Sequence, residues 1–244
     1  MSKNLVVIPT FNECENIRDI INVTRVLSPM FDILVVDDGS PDGTADIVKD
    51  EMKKTPERVY LIERKGKLGL GTAYIAGFKW ALEKGYDYIC EMDADFSHDP
   101  NDLIRLHSAC VDGADVAIGS RYVTGVNVVN WPMGRVLMSY FASFYVRIIT
   151  GMPFRDSTAG FKCYSRSVFE KLDLDHIHFI GYAFQIEMKF NAWKHGFKIV
   201  EVPIIFTDRT KGTSKMSKGI FKEAVIGVLQ MKIKSLFKKY EPVY

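Results

Sequence analysis

The chain has 244 residues, 47% of them hydrophobic, which is enough to bury the core of one large α/β domain or of two small ones. Its net charge is only +2, so bulk nucleic-acid binding is not indicated. The four cysteines stand far apart without a Cys-x-x-Cys pair, which argues against a zinc site or a secreted disulfide framework.

Nothing in the sequence predicts a membrane span. The N-terminus runs directly into a predicted strand, without the pattern of a signal peptide. An uncharged apolar run needs about 18 residues to cross a bilayer. The nearest candidate, residues 136–146, is bounded by Arg135 and Arg147. We therefore expect a cytoplasmic protein.

The first half of the chain alternates short β-branched runs with segments of helical spacing. Strands are predicted at residues 5–8, 33–36, 59–62, 88–92 and 116–118. Apolar stripes of helical spacing lie between them: Ile17, Ile20, Ile21 and Thr24; Ala73, Ala76, Gly77, Trp80 and Ala81; Leu103, Leu106, His107, Cys110 and Val111. Asn12 with Glu15 resembles a capping box, and Ser40-Pro41 is typical of an N-cap followed by proline.

This alternation predicts an α/β domain with a mainly parallel sheet flanked by helices. Between Gly119 and about Ile180 the pattern is less regular and rich in aromatic residues and arginine. A strand is predicted again at residues 198–206, and a basic amphipathic helix at residues 218–239. Because no linker or repeat interrupts the chain, we expect one main domain over residues 1–217 and a C-terminal basic amphipathic segment over residues 218–244.

Two acidic clusters, Asp37-Asp38 and Asp93-Ala94-Asp95, each follow a predicted strand. Ligands of such sheets bind beyond the carboxyl ends of the strands. Two carboxylates one residue apart can share a hard divalent ion such as Mg²⁺. A calcium EF-hand loop starting at Asp93 is excluded, because His98 and Ile104 stand where it needs glycine and glutamate. On the residues alone, a metal site and a solvated acidic turn are both open.

The glycine-rich segment at residues 64–74 does not fit a dinucleotide fingerprint. Gly69 and Gly71 match the first two positions of G-x-G-x-x-G, but Tyr74 stands at the third. The segment also follows the third predicted strand instead of the first. A basic helix entry that approaches phosphates and a plain helix cap are both open.

Together these motifs resemble the dolichyl-phosphate (polyprenyl-phosphate) mannose synthase branch of the GT-A family 2 glycosyltransferases, over nearly the whole chain. The resemblance rests on Pro9-Thr10-Phe11-Asn12-Glu13, Asp37-Asp38-Gly39-Ser40, Gly69-Leu70-Gly71-Thr72-Ala73, Asp93-Ala94-Asp95, Gly119-Ser120-Arg121-Tyr122, Trp131 with Arg135 and Ser139, Asp156 with Gly160, and Asp208-Arg209 with Ser214-Lys215. It implies a GT-A (Rossmann-like) fold and inverting transfer of a sugar, mannose from GDP-mannose, to a polyprenyl or dolichyl phosphate.

The resemblance also implies roles for individual residues. The positions that match donor-nucleotide contacts are Pro9, Phe11, Glu13, Val36, Asp38, Asp93, Ala94, Asp95, Arg121, Arg209 and Lys215. Asp95 and Ser97 match metal-ligand positions for Mg²⁺ or Mn²⁺. Arg121, Arg135 and Ser139 match positions that meet the acceptor phosphate. The implied catalytic residues are Asp95, Arg121 and Arg209.

Two positions depart from the family pattern. Phe11 stands where members usually have tyrosine, so that stacking is kept without a hydroxyl contact. Ser97 stands where some members have glutamine, and its shorter side chain is a weaker ligand. Several members carry C-terminal transmembrane helices, and this chain resembles the type without them.

The chemistry of the residues agrees with an anionic acceptor. A departing diphosphate is stabilised by a divalent metal and arginines. A polyprenyl phosphate, with a second pKa of about 6, is largely a nucleophilic dianion at neutral pH and needs no general base. Consistently, none of the five histidines forms a convincing catalytic pair in the sequence.

Two apolar segments are candidates for contact with a lipid. One is the aromatic stretch at residues 131–146, around Arg135 and Ser139. The other is a stripe flanked by lysines near the C-terminus, formed by Phe221, Val225, Val228, Leu229, Ile233 and Leu236. They predict peripheral attachment to the cytosolic face of a membrane. Burial in a core or dimer, or packing on a membrane partner subunit, are the alternatives.

Two other functions are left open by the sequence. One is a UDP-glucose-dependent polyprenyl-phosphate glucosyltransferase, or an enzyme with a non-lipid acceptor. The other is a non-catalytic GT-A partner subunit, against which the intact Asp38, Asp93, Asp95, Arg121 and Arg209 argue.

Overall fold

The computed structural model describes residues 2–181, 183–209, 211–212 and 219–243, with the backbone alone for residues 219–224. Its centre is a seven-stranded sheet in the order β3-β2-β1-β4-β7-β5-β8. The strands are β1 (Asn4–Thr10), β2 (Asp32–Asp37), β3 (Val59–Glu63), β4 (Tyr88–Glu91), β5 (Val116–Ser120), β7 (Lys162–Ser165) and β8 (Ile199–Pro203). All neighbouring pairs are parallel except those of β7, which runs antiparallel to β4 and β5.

Helices cover both faces of this sheet. They are α1 (Ile17–Thr24), α2 (Thr44–Lys54), α3 (Leu70–Lys84), α4 (Asp102–Val111), α5 (Met133–Thr150), α6 (Arg166–Lys171), α7 (Ala183–Lys194) and α8 (Gly219–Phe237). One core cluster joins the sheet to α1, α2 and α4, and the other joins it to α3 and α5 through α8. The predicted α/β architecture with a mainly parallel sheet is confirmed.

The five strands predicted in the first half are all present. The central strands β1 and β2 are β-branched runs buried on both faces, whereas β3 lies at the edge of the sheet and is only partly buried. The predicted strand at residues 198–206 is divided. Its first part is β8, and its end belongs to β9 (Phe206–Thr207), which pairs with the short strand β6 (Val128–Val129) in a separate ribbon.

Both predicted helix caps are wrong. Helix α1 begins at Ile17 instead of after Asn12, which has a left-handed φ of 57°. Helix α2 begins at Thr44, after Gly43. Ser40 does not cap it, because the Ser40 Oγ donates to Asp37 Oδ1 at 2.6 Å and accepts from the Asn12 backbone N–H at 2.9 Å. Ser40 therefore links the loop after β2 to the loop after β1 by hydrogen bonds.

The predicted helical stripes are correct in α1 and need correction in α3 and α4. In α3 the fully buried large side chains are Tyr74 and Phe78, whereas Trp80 is only half-buried. In α4 the predicted stripe is buried except for Val111, which is 54% exposed.

Helices α5 and α8 pack side by side, and each exposes apolar side chains. The Tyr145 hydroxyl donates to the Val225 carbonyl at 2.9 Å, and α8 buries Val228 and Met231. These exposed residues, here called the apolar face, are Met133, Leu137, Met138, Tyr140, Phe141, Phe144 and Ile148 of α5 with Ile226, Leu229, Ile233, Leu236 and Phe237 of α8. Among the described residues, no helix combines the length and apolarity needed to cross a bilayer.

Candidate active site

A cavity of about 470 Å³ opens where β1, β2, β4 and β5 end and β7 begins. Its walls carry the polar residues that follow these strands, among them Asp38, Asp95 and Arg121. This is the edge at which ligands of open α/β sheets bind, because the loops after the parallel strands converge there.

The β1 and β2 end of the cavity combines a ring with a fixed carboxylate. Asp38 Oδ1 accepts from Arg64 Nε at 2.6 Å, and Asp38 Oδ2 accepts from the Leu68 backbone N–H at 3.1 Å. Lys67 Nζ lies 5.1 Å from the centroid of the Phe11 ring. Asp38 therefore keeps one orientation. In the same part of the cavity lining, the Lys67 ammonium lies over the Phe11 ring.

The acidic loop after β4 forms the middle of the cavity. Asp95 is buried; its Oδ1 accepts from the Ser97 backbone N–H at 3.1 Å, and its Oδ2 lies 2.6 Å from Arg209 Nη2. Asp93 lines the same cavity, and its side chain is 41% exposed. Burial, and next the charge of Asp95, raise the pKa of Asp93 to about 7. The two carboxylates, Asp93 and Asp95, therefore carry more negative charge than Arg209 neutralises. Such an excess of negative charge favours the binding of a cation.

The donor set of this loop fits a divalent metal ion. Ser97 Oγ is buried without a hydrogen-bond partner, and it lies in the cavity wall with Asp93 and Asp95. Within the described part of the chain, no three His, Cys, Asp or Glu side chains are grouped closely enough to hold a metal ion by themselves. The remaining ligands would have to be substrate phosphates, which is the usual arrangement for Mg²⁺.

Arg121 is a buried, fixed positive charge on the β5 side. Its Nε and Nη2 each donate to Asp156 at 2.7 Å, and Nη2 also donates to Thr158 Oγ1 at 2.8 Å. Burial by itself raises the pKa of the fully buried Asp156, but the charge and hydrogen bonds of Arg121, together with the charge of Lys189, lower it below its usual value. The guanidinium also lies 5.7 Å from the Trp131 ring centroid. Arg121 is therefore held in one position on the cavity wall.

Arg135 and Ser139 lie at the start of α5. The guanidinium of Arg135 lies 4.1 Å from the ring centroid of Trp131, and its Nη1 lies 2.8 Å from Asp208 Oδ1. Arg135 lines the cavity and its side chain is 38% exposed. The Ser139 hydroxyl accepts from the Tyr122 hydroxyl at 2.8 Å, beside the cavity but outside its lining. Arg135 thus faces both the cavity and the solvent.

Most of the predicted site residues meet in this one cavity. Those that line it are Pro9, Phe11, Glu13, Asp38, Asp93, Ala94, Asp95, Ser97, Arg121, Arg135 and Arg209. Val36 does not line it, because its side chain is fully buried in the core. Lys215 lies outside the described residues.

A buried polar cluster behind the cavity was not anticipated. Glu91 and Lys162 are cross-strand partners in β4 and β7, both fully buried, with Lys162 Nζ 3.3 Å from Glu91 Oε2. Gln185 and Lys189 of α7 join them from the helix side. A lysine between Phe161 and Cys163 in a short strand was the available signal, since lysine is rarely buried without a partner.

The fold is shared with solved glycosyltransferase structures. Glucosyl-3-phosphoglycerate synthase from Mycobacterium tuberculosis, solved with Mn²⁺, UDP and glucosyl-3-phosphoglycerate, superposes with a TM-score of 0.69 and 17% identity over 95% of this chain and 80% of that chain. At this identity the likeness concerns the fold alone, and the fold is GT-A.

Sequence relatives are much closer. The polyprenol monophosphomannose synthase of Mycolicibacterium smegmatis is 47% identical over 232 residues, 95% of this chain and 88% of the relative. The undecaprenyl-phosphate mannosyltransferase of Micrococcus luteus is 48% identical over 224 residues, 92% of this chain and 91% of the relative. The family model described as Glycosyl transferase family 2 matches residues 5–173. The chain therefore belongs to glycosyl transferase family 2 and is a glycosyltransferase.

Proposed function

We propose that this chain transfers mannose from GDP-mannose to a polyprenyl phosphate, with inversion at the sugar. The proposal is supported by two relatives whose names describe mannose transfer to a polyprenyl phosphate. They are 47% and 48% identical to this chain over more than nine-tenths of its length. The cavity supports it as well, because it offers separate places for a nucleoside, a diphosphate and a second anion.

The observation that carries the acceptor assignment is the position of Arg135. It lies in the first turn of α5, reaches into the cavity and begins the helix whose other exposed side chains belong to the apolar face. A phosphate held by Arg135 can leave its hydrocarbon tail on Leu137, Met138 and Phe141. A lipid phosphate fits this combination of charge and apolar surface better than a small soluble acid does.

A Mg²⁺ or Mn²⁺ ion would be held by Asp95, with Ser97 and Asp93 as the adjacent oxygen donors. When bound, such an ion neutralises the charge of a departing diphosphate. Arg209 stands beside the same loop, so that it can share this charge. Asp38 and Phe11 would hold the nucleoside at the other end of the cavity.

The acceptor itself supplies the nucleophile. A phosphate monoester is mostly a dianion at neutral pH, since its second pKa is about 6. Arg121 and Arg135 would orient this dianion for in-line attack on the sugar, and no side chain has to remove a proton. Direct attack in one step inverts the anomeric carbon.

We further infer that residues 1–217 form the catalytic domain and that residues 218–244 help to attach it to the cytosolic face of a membrane. The apolar face is the support for this assignment, because a lipid tail lies in a bilayer and α5 presents its apolar residues next to Arg135. A membrane partner subunit covering the same face is the alternative occupant.

An acceptor panel tests the proposal. With GDP-mannose and Mg²⁺ held constant, a short polyprenyl phosphate, the same polyprenol without phosphate and 3-phosphoglycerate are compared as acceptors by product mass. We expect product only from the polyprenyl phosphate. Product from 3-phosphoglycerate but not from the lipid would refute the acceptor assignment.

A further inference from the structure

The order of the strands sets the order of groups along the cavity. Asp38 follows β2, Phe11 follows β1, the acidic loop follows β4, and Gly160 lies directly before β7. Three strand spacings, about 14 Å in all, separate β2 from β7. A nucleotide sugar with its base at β2 and its diphosphate at the acidic loop therefore places its sugar near the start of β7.

The cavity wall at this point combines small residues with one amide. Ala159 and Gly160 supply the small part, and Gln185 from the first turn of α7 supplies the amide. Gln185 is only 3% exposed. The Lys189 Nζ donates to the Ala159 carbonyl at 2.7 Å, which fixes the backbone of the wall.

Two buried charges set the orientation of the Gln185 amide. Its Oε1 accepts a hydrogen bond from Lys162 Nζ, and its Nε2 donates to Glu91 Oε2 at 2.7 Å. A lysine can only donate and a carboxylate can only accept, so the reversed orientation of the amide is excluded. Each amide has two N–H groups and two oxygen lone pairs, so one of each stays available after these bonds are made.

Gly160 lies beside the amide, and both line the cavity. A Cβ placed on Gly160 would lie 3.5 Å from Gln185 Nε2, in ordinary van der Waals contact. The φ of Gly160 is not in the left-handed region, so its backbone does not require glycine. The missing side chain instead provides access to a donor and an acceptor that are already oriented.

We propose that Gln185 contacts the hydroxyl groups of the transferred sugar and determines which hexose is accepted. Its free N–H and free lone pair match a sugar hydroxyl, which both donates and accepts. The Glu91–Lys162 pair holds the amide, and Gly160 gives the sugar access to it. This assignment rests on the proposed transfer of a hexose from a nucleotide sugar.

The test separates recognition of the sugar from recognition of the nucleotide. The Kd for GDP and the kcat/KM for GDP-mannose and GDP-glucose are measured for the full chain and for Gln185→Leu and Gly160→Ala. We expect both variants to keep the Kd for GDP and to lose about 10- to 100-fold in kcat/KM for GDP-mannose, the range of one lost hydrogen bond to a buried group. Their preference for mannose over glucose should shrink.

Asn191→Leu is the matched control for Gln185→Leu, because Asn191 carries an amide on the same helix, α7, but does not line the cavity. It should leave both affinities and the sugar preference unchanged. If Gln185→Leu fails to fold, Gly160→Ala decides, since it keeps Gln185 and adds a single methyl group.

Equal losses for GDP and GDP-mannose, or an unchanged sugar preference in Gly160→Ala, would overturn the assignment. The proposed function fails separately if the wild-type chain does not use GDP-mannose. The same comparison is then made with the donor that it accepts and the nucleoside diphosphate of that donor.

Discussion

Asp95 is the residue on which the metal assignment depends most. Its carboxylate is buried in the acidic loop between Ser97 and Arg209. We expect Asp95→Ala to abolish turnover and excess chelator to do the same to the wild-type enzyme, because the departing diphosphate then lacks its cation. Initial rates and Mn²⁺ binding are the measurements. Asp112→Ala, an exposed aspartate after α4, serves as the control. Full turnover in excess chelator would show that no metal is needed.

Arg121 and Arg209 both line the cavity, but their partners predict different consequences of substitution. The side chain of Arg209 is 27% exposed and contacts the acidic loop. Arg209→Ala should lower turnover by about 10²–10³-fold with little change in the free energy of unfolding. Arg209→Lys should restore only part of the rate, since a point charge replaces a planar fork.

Arg121→Ala should instead unfold more easily, because it leaves the fully buried Asp156 without its partner. We expect the free energy of unfolding to fall by about 3–5 kcal/mol, measured by chemical denaturation. The surface pair of Arg105 with Asp102 is the control, and Arg105→Ala should change stability by less than about 1 kcal/mol. Wild-type stability of Arg121→Ala would contradict the structural part of this assignment.

At the scale of elements, the packing of α3 on the sheet depends on Gly77. A Cβ at Gly77 would lie 2.5 Å from Val7 Cγ1 in β1, so the helix or the strand must move to admit it. We expect Gly77→Ala to lower the free energy of unfolding by about 1–3 kcal/mol, as overpacked cores do. Gly134→Ala, in α5 with open space around it, should be neutral or slightly stabilising. Equal melting temperatures for the two variants would show that α3 can shift at no cost.

The apolar face of α5 and α8 predicts binding to vesicles. Phe141 and Phe144 are exposed on α5, so changing both to serine should leave the fold intact. Binding to anionic vesicles should fall by about tenfold or more, because each ring stabilises the bound state by on the order of 1.5 kcal/mol when it leaves water. A detergent-solubilised acceptor should still be turned over, but with a raised KM, because Phe141 is also one of the residues assigned to the acceptor's hydrocarbon tail.

The matched control for this face is Val26→Ser, which removes an exposed apolar side chain after α1. Sedimentation with vesicles is the measurement for all variants. Vesicle binding by the double serine variant at the wild-type level would exclude this face of α5 as the membrane contact.

At the scale of the whole molecule, a structural feature could be predicted from the sequence where the residues that determine it lie in one short segment. The five early strands were predictable because each is a short apolar run, Asp38 and Asp95 because they lie in acidic clusters shortly after strands, and Arg121 because its motif resembles that of the family. The start of α2 was not predictable, because Ser40 hydrogen-bonds to Asp37 at the end of β2 and to Asn12 in the loop after β1 instead of capping the helix.

Long-range pairing accounts for the parts of the site that the sequence did not reveal. The partner of Arg121 is Asp156, 35 positions away, and Gln185 meets Glu91 across 94 positions. No periodicity or spacing links such residues, since only the assembled sheet brings β4, β7 and α7 together. The motif of Asp156 with Gly160 supported the family resemblance, but it did not predict the ion pair of Asp156 with Arg121.

The most direct test of the central claim is a donor panel with one acceptor, read by product mass. The full chain is incubated with Mg²⁺, a short polyprenyl phosphate and either GDP-mannose, GDP-glucose or UDP-glucose. We expect a product heavier than the acceptor by one hexose, formed from GDP-mannose at the highest kcat/KM. Transfer from UDP-glucose alone would contradict the assignment of the donor, and no product from any donor would contradict the assignment of the chain as a polyprenyl-phosphate sugar transferase.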